Sequence, residues 1–419
     1  MTIDPDRLRR TVEAVWRMES AQIVAVLARM TRDVGLAEEV AQDALVIALE
    51  QWPRSGVPER PGPWLMATAK HRAIDALRRR ATYDRKLQEA GRLQPPPVDQ
   101  PDPDDVITDD LLRLIFTACH PALSPDGRVA LTLRLLGGLS TGQIARAFLT
   151  AEATVAQRIV RAKRSLAGKR IPYEIPSPAE LPGRLASVLE VIYLIFNEGY
   201  SATAGDDWAR PGMCREAMRL GRLLAGLMPD EAEVHGLAAL MEIQASRIAA
   251  RTGPDGAPVL LMDQNRRLWD RLLIRRGLAA LDRARELGTA GLYTVQAEIA
   301  ACHARAYDPG DTDWPRIAAL YTVLAYLAPS PVVELNRAVA VGMAEGPERG
   351  LAVVDAVAGA AALQRYPHLP AVRGDLLMRL GRHDEAREAF TRAAALTRNA
   401  AERALFQRRA TEVTAAHGR

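Results

Sequence analysis

Cysteine is scarce in this chain: its 419 residues include three, Cys119, Cys214 and Cys302, and they lie far apart. They form no CxxC pair, and no histidine stands beside them at the spacing of a metal ligand. We therefore expect neither a disulfide framework nor a zinc site. The sequence predicts no cofactor of any other kind.

Long apolar runs are missing too. No run reaches the roughly 18 residues that a membrane-spanning helix needs, and Met1 to Arg10 carries charges where a signal peptide has its apolar segment. We therefore expect a cytoplasmic protein with no membrane partner. The phosphate-binding G-x-x-x-x-G-K and zinc-protease H-E-x-x-H motifs do not occur, so we predict no catalytic residue and no enzyme activity.

The composition indicates a globular, helical protein. Hydrophobic residues make up 48% and charged residues 25%, whereas aromatic residues are only 5% and alanine and leucine are abundant. A chain of 419 residues is long enough for two to four domains. We predict an all-α fold with more than one hydrophobic core.

Charge and proline divide the chain. Residues 93–107 are acidic and rich in proline and contain no basic residue, which predicts an extended linker. The linker separates two predicted helical domains, 1–92 and 108–171, each of which contains a strongly basic stretch. A third region, 180–419, has the pattern of consecutive helices to the end of the chain.

Two helices carry the charges of the first domain. Apolar residues at Leu36, Val40, Ala44 and Ile47 share one helical face. The opposite face of this helix carries four polar residues, Glu38, Glu39, Gln42 and Asp43. They either face solvent or form a docking surface for another protein. The next helix begins near Trp64, which either packs under the helix start or contacts DNA. It projects Lys70, His71, Arg72, Arg78, Arg79 and Arg80, a basic surface that attracts phosphates.

The second domain has the outline of a helix-turn-helix. Ser124 and Pro125 predict the start of one helix, and Ser140 with Gln143 predicts a capping box at the start of a short second one. A further helix buries Val155, Ile159, Ala162 and Leu166. It presents outward Thr154, Gln157, Arg158, Arg161 and Arg164, which suit base edges and phosphates in a major groove.

These motifs together resemble an extracytoplasmic-function sigma factor of the sigma-70 family. The runs Ala37–Asp43 and Pro63–Arg80 are similar to region 2, and Leu139–Ala145 with Thr154–Lys163 is similar to region 4. The resemblance implies that Glu38, Glu39, Gln42 and Asp43 bind core RNA polymerase. It also implies that the basic helix from Trp64 engages the −10 promoter element, that the loop before it captures an extruded base, and that the Thr154–Arg164 face reads the −35 element.

The sequence departs from that family at several positions. His71 stands where asparagine is common and Lys70 where arginine is usual, so base preference at −10 is not predicted. Ala151 and Ala153 replace a common serine and glycine before the recognition helix, and Leu149 occupies a turn position where glycine is frequent.

The third region has one regular helix pair. Gly374, Gly381, Ala386 and Phe390 fall at the offsets of a tetratricopeptide repeat between Pro370 and Asn399. Some sigma factors of this kind carry such a helical extension, which implies regulation by the chain's own C-terminal domain, with an intramolecular contact as one route. Earlier in the region, Gly199 is predicted to end an apolar helix. Polar residues that either line a ligand pocket or face solvent are Glu198, His235, Glu242, Arg247 and Asp263.

The sequence thus predicts a sigma factor that directs core RNA polymerase to promoter DNA and is regulated by its C-terminal region. Two alternatives stay open. One is a helix-turn-helix regulator that works without polymerase, against which the acidic run Ala37–Asp43 argues. The other is a sigma module fused to a ligand-binding or enzymatic helical domain.

Overall fold

The structure is a computed structural model that describes residues 5–88, 106–148, 150–201, 209–254, 256–288 and 290–417. These residues form eighteen α-helices and no β-strand, which confirms the all-α prediction. Internal contacts group the chain into two compact units that divide between Ile192 and Tyr193. The two predicted small domains therefore lie in one unit.

Seven helices and the beginning of an eighth form the first unit. They are α1 (Pro5–Thr31), α2 (Val34–Ser55), α3 (Pro61–Gln88), α4 (Val106–Ala118), α5 (Pro125–Leu135), α6 (Thr141–Ala147), α7 (Glu152–Gly168) and α8 (Leu181–Tyr200), whose last residues belong to the second unit.

Helix α1 is the centre of the first unit because it packs against α2, α3, α4 and α5. Its residues Ile23 and Leu27 have no exposed surface. Fully burying a side chain of this size stabilises a fold by about 1.5–3 kcal/mol. Helices from both predicted small domains therefore share one hydrophobic core around α1.

Local sequence signals set the starts of several helices. The Asp33 carboxylate accepts hydrogen bonds from the Gly35 and Leu36 amides at the start of α2. The Ser124 hydroxyl accepts from the Gly127 amide, and Ser140 and Gln143 form the predicted capping box of α6. Ala151 precedes α7 without a side-chain cap, as its methyl group requires.

The remaining helices belong to the second unit, in which consecutive helices pack against each other. They are α9 (Pro211–Leu227), α10 (Ala232–Ala245), α11 (Arg271–Leu287), α12 (Leu292–Arg305), α13 (Trp314–Leu327), α14 (Pro331–Ala344), α15 (Pro347–Val357), α16 (His368–Arg379), α17 (His383–Leu396) and α18 (Ala400–His417). Short 3-10 helices occur at Ile248–Ala250, Leu261–Asp263, Arg266–Leu268, Pro309–Asp311 and Ala361–Leu363.

The predicted helix pair between Pro370 and Asn399 is present as α16 and α17. A Cβ atom added to Gly374 would stand 3.0 Å from the Phe390 ring, so the missing side chain allows the two helices to pack closely. Gly381 has φ +72° in the turn between them, a conformation that favours glycine. The assignment of this pair to the tetratricopeptide family stays a prediction.

The loop predicted before the basic helix is short. Helix α2 continues through Pro53 to Ser55 and α3 begins at Pro61, so the loop comprises residues 56–60. The apolar helix that Gly199 was predicted to end is α8, which ends one residue later, at Tyr200. A Cβ atom added to Gly199 would stand 2.7 Å from the Cys214 amide nitrogen, so this position also needs a glycine for close packing.

The predicted linker 93–107 lies outside the described residues up to position 105, and α4 begins at Val106. In the described part of the chain no helix is long and apolar enough to cross a membrane. The same part contains no cluster of histidine, cysteine and acidic residues suited to a metal ion. All three cysteines are buried and free.

Candidate nucleic-acid interface

Helix α3 presents the predicted basic surface to solvent. Ala69 and Ala73 face the core, whereas Ile74 is 38% exposed. Arg80 makes one weak contact, 3.7 Å from the Asp33 carboxylate, and is itself 62% exposed. The six basic side chains of this face are all exposed: Lys70, His71, Arg72, Arg78, Arg79 and Arg80.

Trp64 lies at the start of α3 and is half-buried. Its ring meets Trp52 of α2 edge to face, with the ring centroids 5.4 Å apart. Trp52 is buried and Trp64 is partly exposed to solvent, and the contact between their rings joins α2 to α3. Packing therefore accounts for part of the Trp64 ring and leaves an edge for another contact.

Helix α7 is organised as predicted. Its apolar residues Val155, Ile159, Ala162 and Leu166 are all buried, and the helix packs on α5 and α6. On its outer side Thr154, Gln157, Arg158 and Arg161 line one groove together with Asp126 of α5. Arg164 is exposed beyond this groove. The predicted turn residue Leu149 lies outside the described residues.

The Asp126 carboxylate pairs with one of the basic side chains of this groove, Arg158. Asp126 Oδ2 lies 2.8 Å from Arg158 Nη2, and the two side chains are 65% and 35% exposed. An ion pair this open to solvent is worth at most about 1 kcal/mol. Asp126 thus binds Arg158 weakly, and its carboxylate oxygen takes the place that a phosphate oxygen could take.

The acidic face of α2 differs from the prediction at one residue. Glu39 and Asp43 are exposed and Gln42 is half-buried, but Glu38, which was expected outside, is buried. Its Oε1 lies 2.5 Å from Arg134 Nε of α5, and its Oε2 forms an ion pair with Lys163 of α7. The helical period could not reveal this because both partners are distant in sequence.

Electrostatics keep Glu38 ionised. Burial favours its neutral form, but Lys163 and Arg134 outweigh burial and hold the pKa of Glu38 below its usual value. Glu38 is therefore a buried anion held by two cations from the other predicted domain. Arg134 and Lys163 are functional candidates that the sequence analysis missed.

A second polar contact also joins the two predicted domains. Asp110 of α4 is buried, 2.9 Å from Arg29 of α1 and 2.9 Å from Arg113. The Tyr173 hydroxyl lies 3.0 Å from the Ala25 carbonyl oxygen and 2.9 Å from that of Asp110. Burial raises the pKa of both Asp110 and Tyr173. The first unit thus holds its two domains together by several buried polar contacts.

The expectation that the chain contains no catalytic motif is wrong for one short run, which matches the G-x-S-x-G pattern. Residues 138–142 read Gly-Leu-Ser-Thr-Gly, the G-x-S-x-G pattern of a nucleophile elbow. That motif needs a strand before its serine, whereas this serine, Ser140, follows α5 and caps α6. Its hydroxyl is engaged by the Gln143 amide, so the run is a structural turn between helices.

The polar candidates of the second unit have separate surroundings. Glu198 pairs with Arg210, and Glu242 lies 2.6 Å from Arg222 Nε. The His235 ring is 2.9 Å from the Pro229 carbonyl oxygen, and Asp263 is exposed in a short 3-10 helix. Arg247 lies between two aromatic rings, Tyr200 and Trp269. These five residues therefore do not form a single pocket.

Comparison with known families matches three parts of the chain. The family model of sigma-70 region 2 matches residues 15–83, and that of sigma-70 region 4 matches residues 113–166. Residues 184–285 match a family of unknown function, DUF6596. Most residues of the two basic helices, α3 and α7, lie in the first two matches.

Relatives are similar to this chain over different parts of its length. An uncharacterized protein of Rhizobium meliloti is 45% identical over 399 residues, which cover 92% of each chain. The probable ECF RNA polymerase sigma factor SigI of Mycobacterium tuberculosis is 29% identical over 40% of this chain and 58% of its own length. The ECF RNA polymerase sigma factor SigK of Mycolicibacterium vanbaalenii is 27% identical over 37% of this chain and 81% of its own length.

The matches to regions 2 and 4 follow each other in the order that the two basic helices have in the fold, and the relatives named as sigma factors align with this part of the chain. The chain belongs to the sigma-70 family and is a sigma factor of the extracytoplasmic-function type with a large helical C-terminal region.

Proposed function

We propose that this sigma factor contacts core RNA polymerase through α2, the −10 promoter element through α3 and the −35 element through α7. The observation that carries the proposal is the pair of solvent-facing basic surfaces, one on α3 and one on α7. Each neutralised phosphate releases about one counterion, so two such surfaces supply affinity without sequence preference.

Specific contacts are proposed for the groove beside α7. An amide side chain such as Gln157 suits an adenine edge, and an arginine such as Arg161 suits a guanine edge or a phosphate. Thr154, Arg158 and Arg164 complete this proposed −35 surface. On α3 the proposed −10 contacts are Trp64, Lys70, His71, Arg72, Arg78, Arg79 and Arg80.

For polymerase, the proposed contacts on α2 are Glu39, Gln42 and Asp43, which reach solvent, together with Glu38. Glu38 is available only when Arg134 and Lys163 release it. We therefore propose that binding of polymerase and promoter separates the two domains of the first unit and replaces this contact.

The proposal is tested with purified chain, core polymerase and a promoter fragment. Changing Arg158 and Arg161 to alanine is expected to weaken binding to the −35 duplex and reduce its salt slope by about one to two. The matched control is Arg276→Gln on α11, outside both sigma regions. An unchanged salt slope would remove α7 from the DNA interface.

Polymerase docking is tested separately. The double change Glu39→Lys and Asp43→Lys reverses two exposed charges, and we expect it to abolish copurification with core polymerase while the fold is kept. Normal copurification of this variant would refute docking through α2 and would favour the alternative of a polymerase-independent regulator.

The C-terminal region is proposed to regulate the sigma regions and to support initiation. Sigma factor regions 2 and 4 are not enzymatic, whereas the DUF6596 match leaves the activity of residues 184–285 open. A positive role predicts that a chain without this region initiates poorly in run-off transcription. Full or increased activity would show that the region is dispensable or inhibitory.

A further inference from the structure

One arginine of the second unit has no acceptor among the described residues. Arg247 follows α10 and is half-buried, and its guanidinium makes no hydrogen bond or ion pair with that part of the chain. Its central carbon lies 5.9 Å from the Tyr200 ring centroid and 5.8 Å from that of Trp269. Two aromatic rings thus contact a permanent cation, and no described residue accepts from its five N–H donors.

Two buried arginines add to this cluster. The central carbon of Arg251 lies 3.6 Å from the Tyr200 ring centroid, and that of Arg266 lies 4.9 Å from the Trp269 centroid. Burial lowers the pKa of both arginines, and the charge of Arg247 lowers both further. Three cations therefore surround two aromatic rings.

The neighbours of Arg266 do not neutralise it directly. Its Nη1 donates to the carbonyl oxygens of His303 and Ala306, both at 2.7 Å, and its Nη2 to the Thr312 hydroxyl. These acceptors carry no formal charge, and Asp308 and Asp311 act on Arg266 only through space. The indole nitrogen of Trp269 and Nε of Arg266 are also buried without an acceptor.

Neutral hydroxyl groups lie beside the same cation. Burial, reinforced by Tyr193, raises the pKa of Tyr321 to about 12 although Arg247 opposes that rise. The Tyr193 hydroxyl is 3.0 Å from Gln296 Oε1. Both tyrosines are thus protonated at neutral pH. Tyr321 of α13 is the one of these two tyrosines that interacts electrostatically with Arg247.

We propose that Arg247 binds the carboxylate or phosphate group of a small organic anion, with Tyr200 and Trp269 flanking the bound group. Charge-assisted hydrogen bonds to arginine are strong and match the planar geometry of such anions. Arg251 and Arg266 add positive potential but are buried, which suits a small ligand better than a nucleic-acid backbone, since the latter needs an exposed basic surface.

The residues of this site belong to the second unit, whereas α3 and α7 belong to the first, so its test does not depend on promoter binding. Thermal unfolding of the full chain is followed while inorganic phosphate or citrate is titrated at ionic strength held constant with sodium chloride. Phosphate and citrate distinguish the two anion classes. We expect a saturable rise in the unfolding temperature with at least one of them.

Substitutions test whether Arg247 causes the rise in unfolding temperature. Arg247→Gln is expected to weaken the apparent affinity at least about tenfold, whereas Arg276→Gln, an exposed arginine without a partner among the described residues, leaves it unchanged. Arg247→Lys keeps the charge and is expected to bind with intermediate affinity. Far-UV circular dichroism checks that each variant is folded.

Three results would overturn the proposal. Equal affinity in Arg247→Gln and wild type would exclude this arginine, and equal protection by sodium chloride alone would show unspecific screening. Protection by polyglutamate but by neither small anion would assign the cluster to a protein partner instead.

Discussion

Lys163 of α7, the helix proposed to bind the −35 element, forms an ion pair with Glu38 of α2, the helix proposed to bind polymerase. Arg134 completes the contact from α5. While this contact exists, neither Glu38 nor Lys163 is available to another molecule. The chain therefore uses one residue of the predicted polymerase surface, Glu38, to hold the two sigma regions together.

Neutralising Glu38 is expected to loosen the first unit. Glu38→Gln removes a buried charge and leaves Arg134 and Lys163 partly covered, which we expect to lower the free energy of unfolding by about 1–3 kcal/mol. Urea unfolding measures this change, and small-angle scattering should show a larger radius of gyration. The control Glu39→Gln alters an exposed neighbour and should change stability by less than about 0.5 kcal/mol. Equal effects of both changes would contradict a role for the buried pair.

The same contact predicts a pH dependence. The pKa of Glu38 is lower in the folded chain than in the unfolded one, so its contribution is present above the unfolded value of about 4.3 and is lost as pH falls through the folded value. The stability difference between wild type and Glu38→Gln should therefore be constant from pH 6 to 8 and shrink in acid. A difference that grows in acid would refute this sign.

Removing the carboxylate beside Arg158 should strengthen DNA binding. Asp126→Asn frees Arg158 and removes a negative charge from the groove, and we expect the affinity for a −35 duplex to rise by about two- to fivefold. Fluorescence anisotropy at fixed salt measures the change. Asp109→Asn, which loosens an exposed pair with Arg113, is the control. Unchanged or weaker binding by Asp126→Asn would place the groove outside the DNA contact.

His303 predicts acid sensitivity of the second unit. Burial, together with Arg247 and Arg266, lowers the pKa of His303 to about 3. The unfolded chain takes up a proton near pH 6.5 that the folded chain does not, so the free energy of unfolding falls by up to about 2.7 kcal/mol between pH 6.5 and 4.5.

His303→Gln should remove this part of the pH dependence. The substitution keeps the hydrogen bond from Arg266, because that bond is accepted by the backbone oxygen of residue 303 and not by its side chain. Urea midpoints between pH 7 and 4.5 compare this variant with wild type and with His71→Gln, whose side chain is exposed. A pH dependence equal in all three proteins would show that His303 is protonated when folded.

The point at which the chain is shortened should decide whether the sigma regions stay stable. Buried Arg128 of α5 donates to Ser187 and to Glu190, both on α8, and Arg184 donates to the Phe116 carbonyl oxygen at 2.8 Å. A chain that ends at Ser177 loses all three partners. We expect it to be less stable than a chain that ends at Ile192 by about 2–4 kcal/mol. Equal urea midpoints of the two proteins would contradict this prediction.

Local order was predictable from the sequence where neighbouring residues determine it. The stripe from Val155 to Leu166, the Ser124 cap and the Ser140–Gln143 capping box depend on residues within a few positions of each other. The basic face of α3 followed from the same periodicity. These features needed no knowledge of the tertiary fold.

Long-range packing was not predictable in this way. Glu38 is buried because Arg134, 96 positions later in the chain, supplies its counter-charge. The close approach of the Cys214 backbone to Gly199, which leaves no room for a side chain there, could not be predicted from the residues around Gly199. Arg247 stands between Tyr200 and Trp269, which no short motif joins. In each case the deciding neighbour is remote in sequence.

The three cysteines also determine how the chain can be studied by labelling. Burial raises the pKa of Cys119 to about 11 and that of Cys214 to about 12, and it raises the pKa of Cys302 as well. The thiolate is the nucleophile, so all three native thiols are shielded and protonated at neutral pH and react slowly with maleimides. Two cysteines introduced at exposed positions outside the proposed contacts, Glu50 on α2 and Ala167 on α7, would therefore take up dyes selectively in the otherwise native chain. The distance between those dyes would then follow the separation of the sigma regions as polymerase binds.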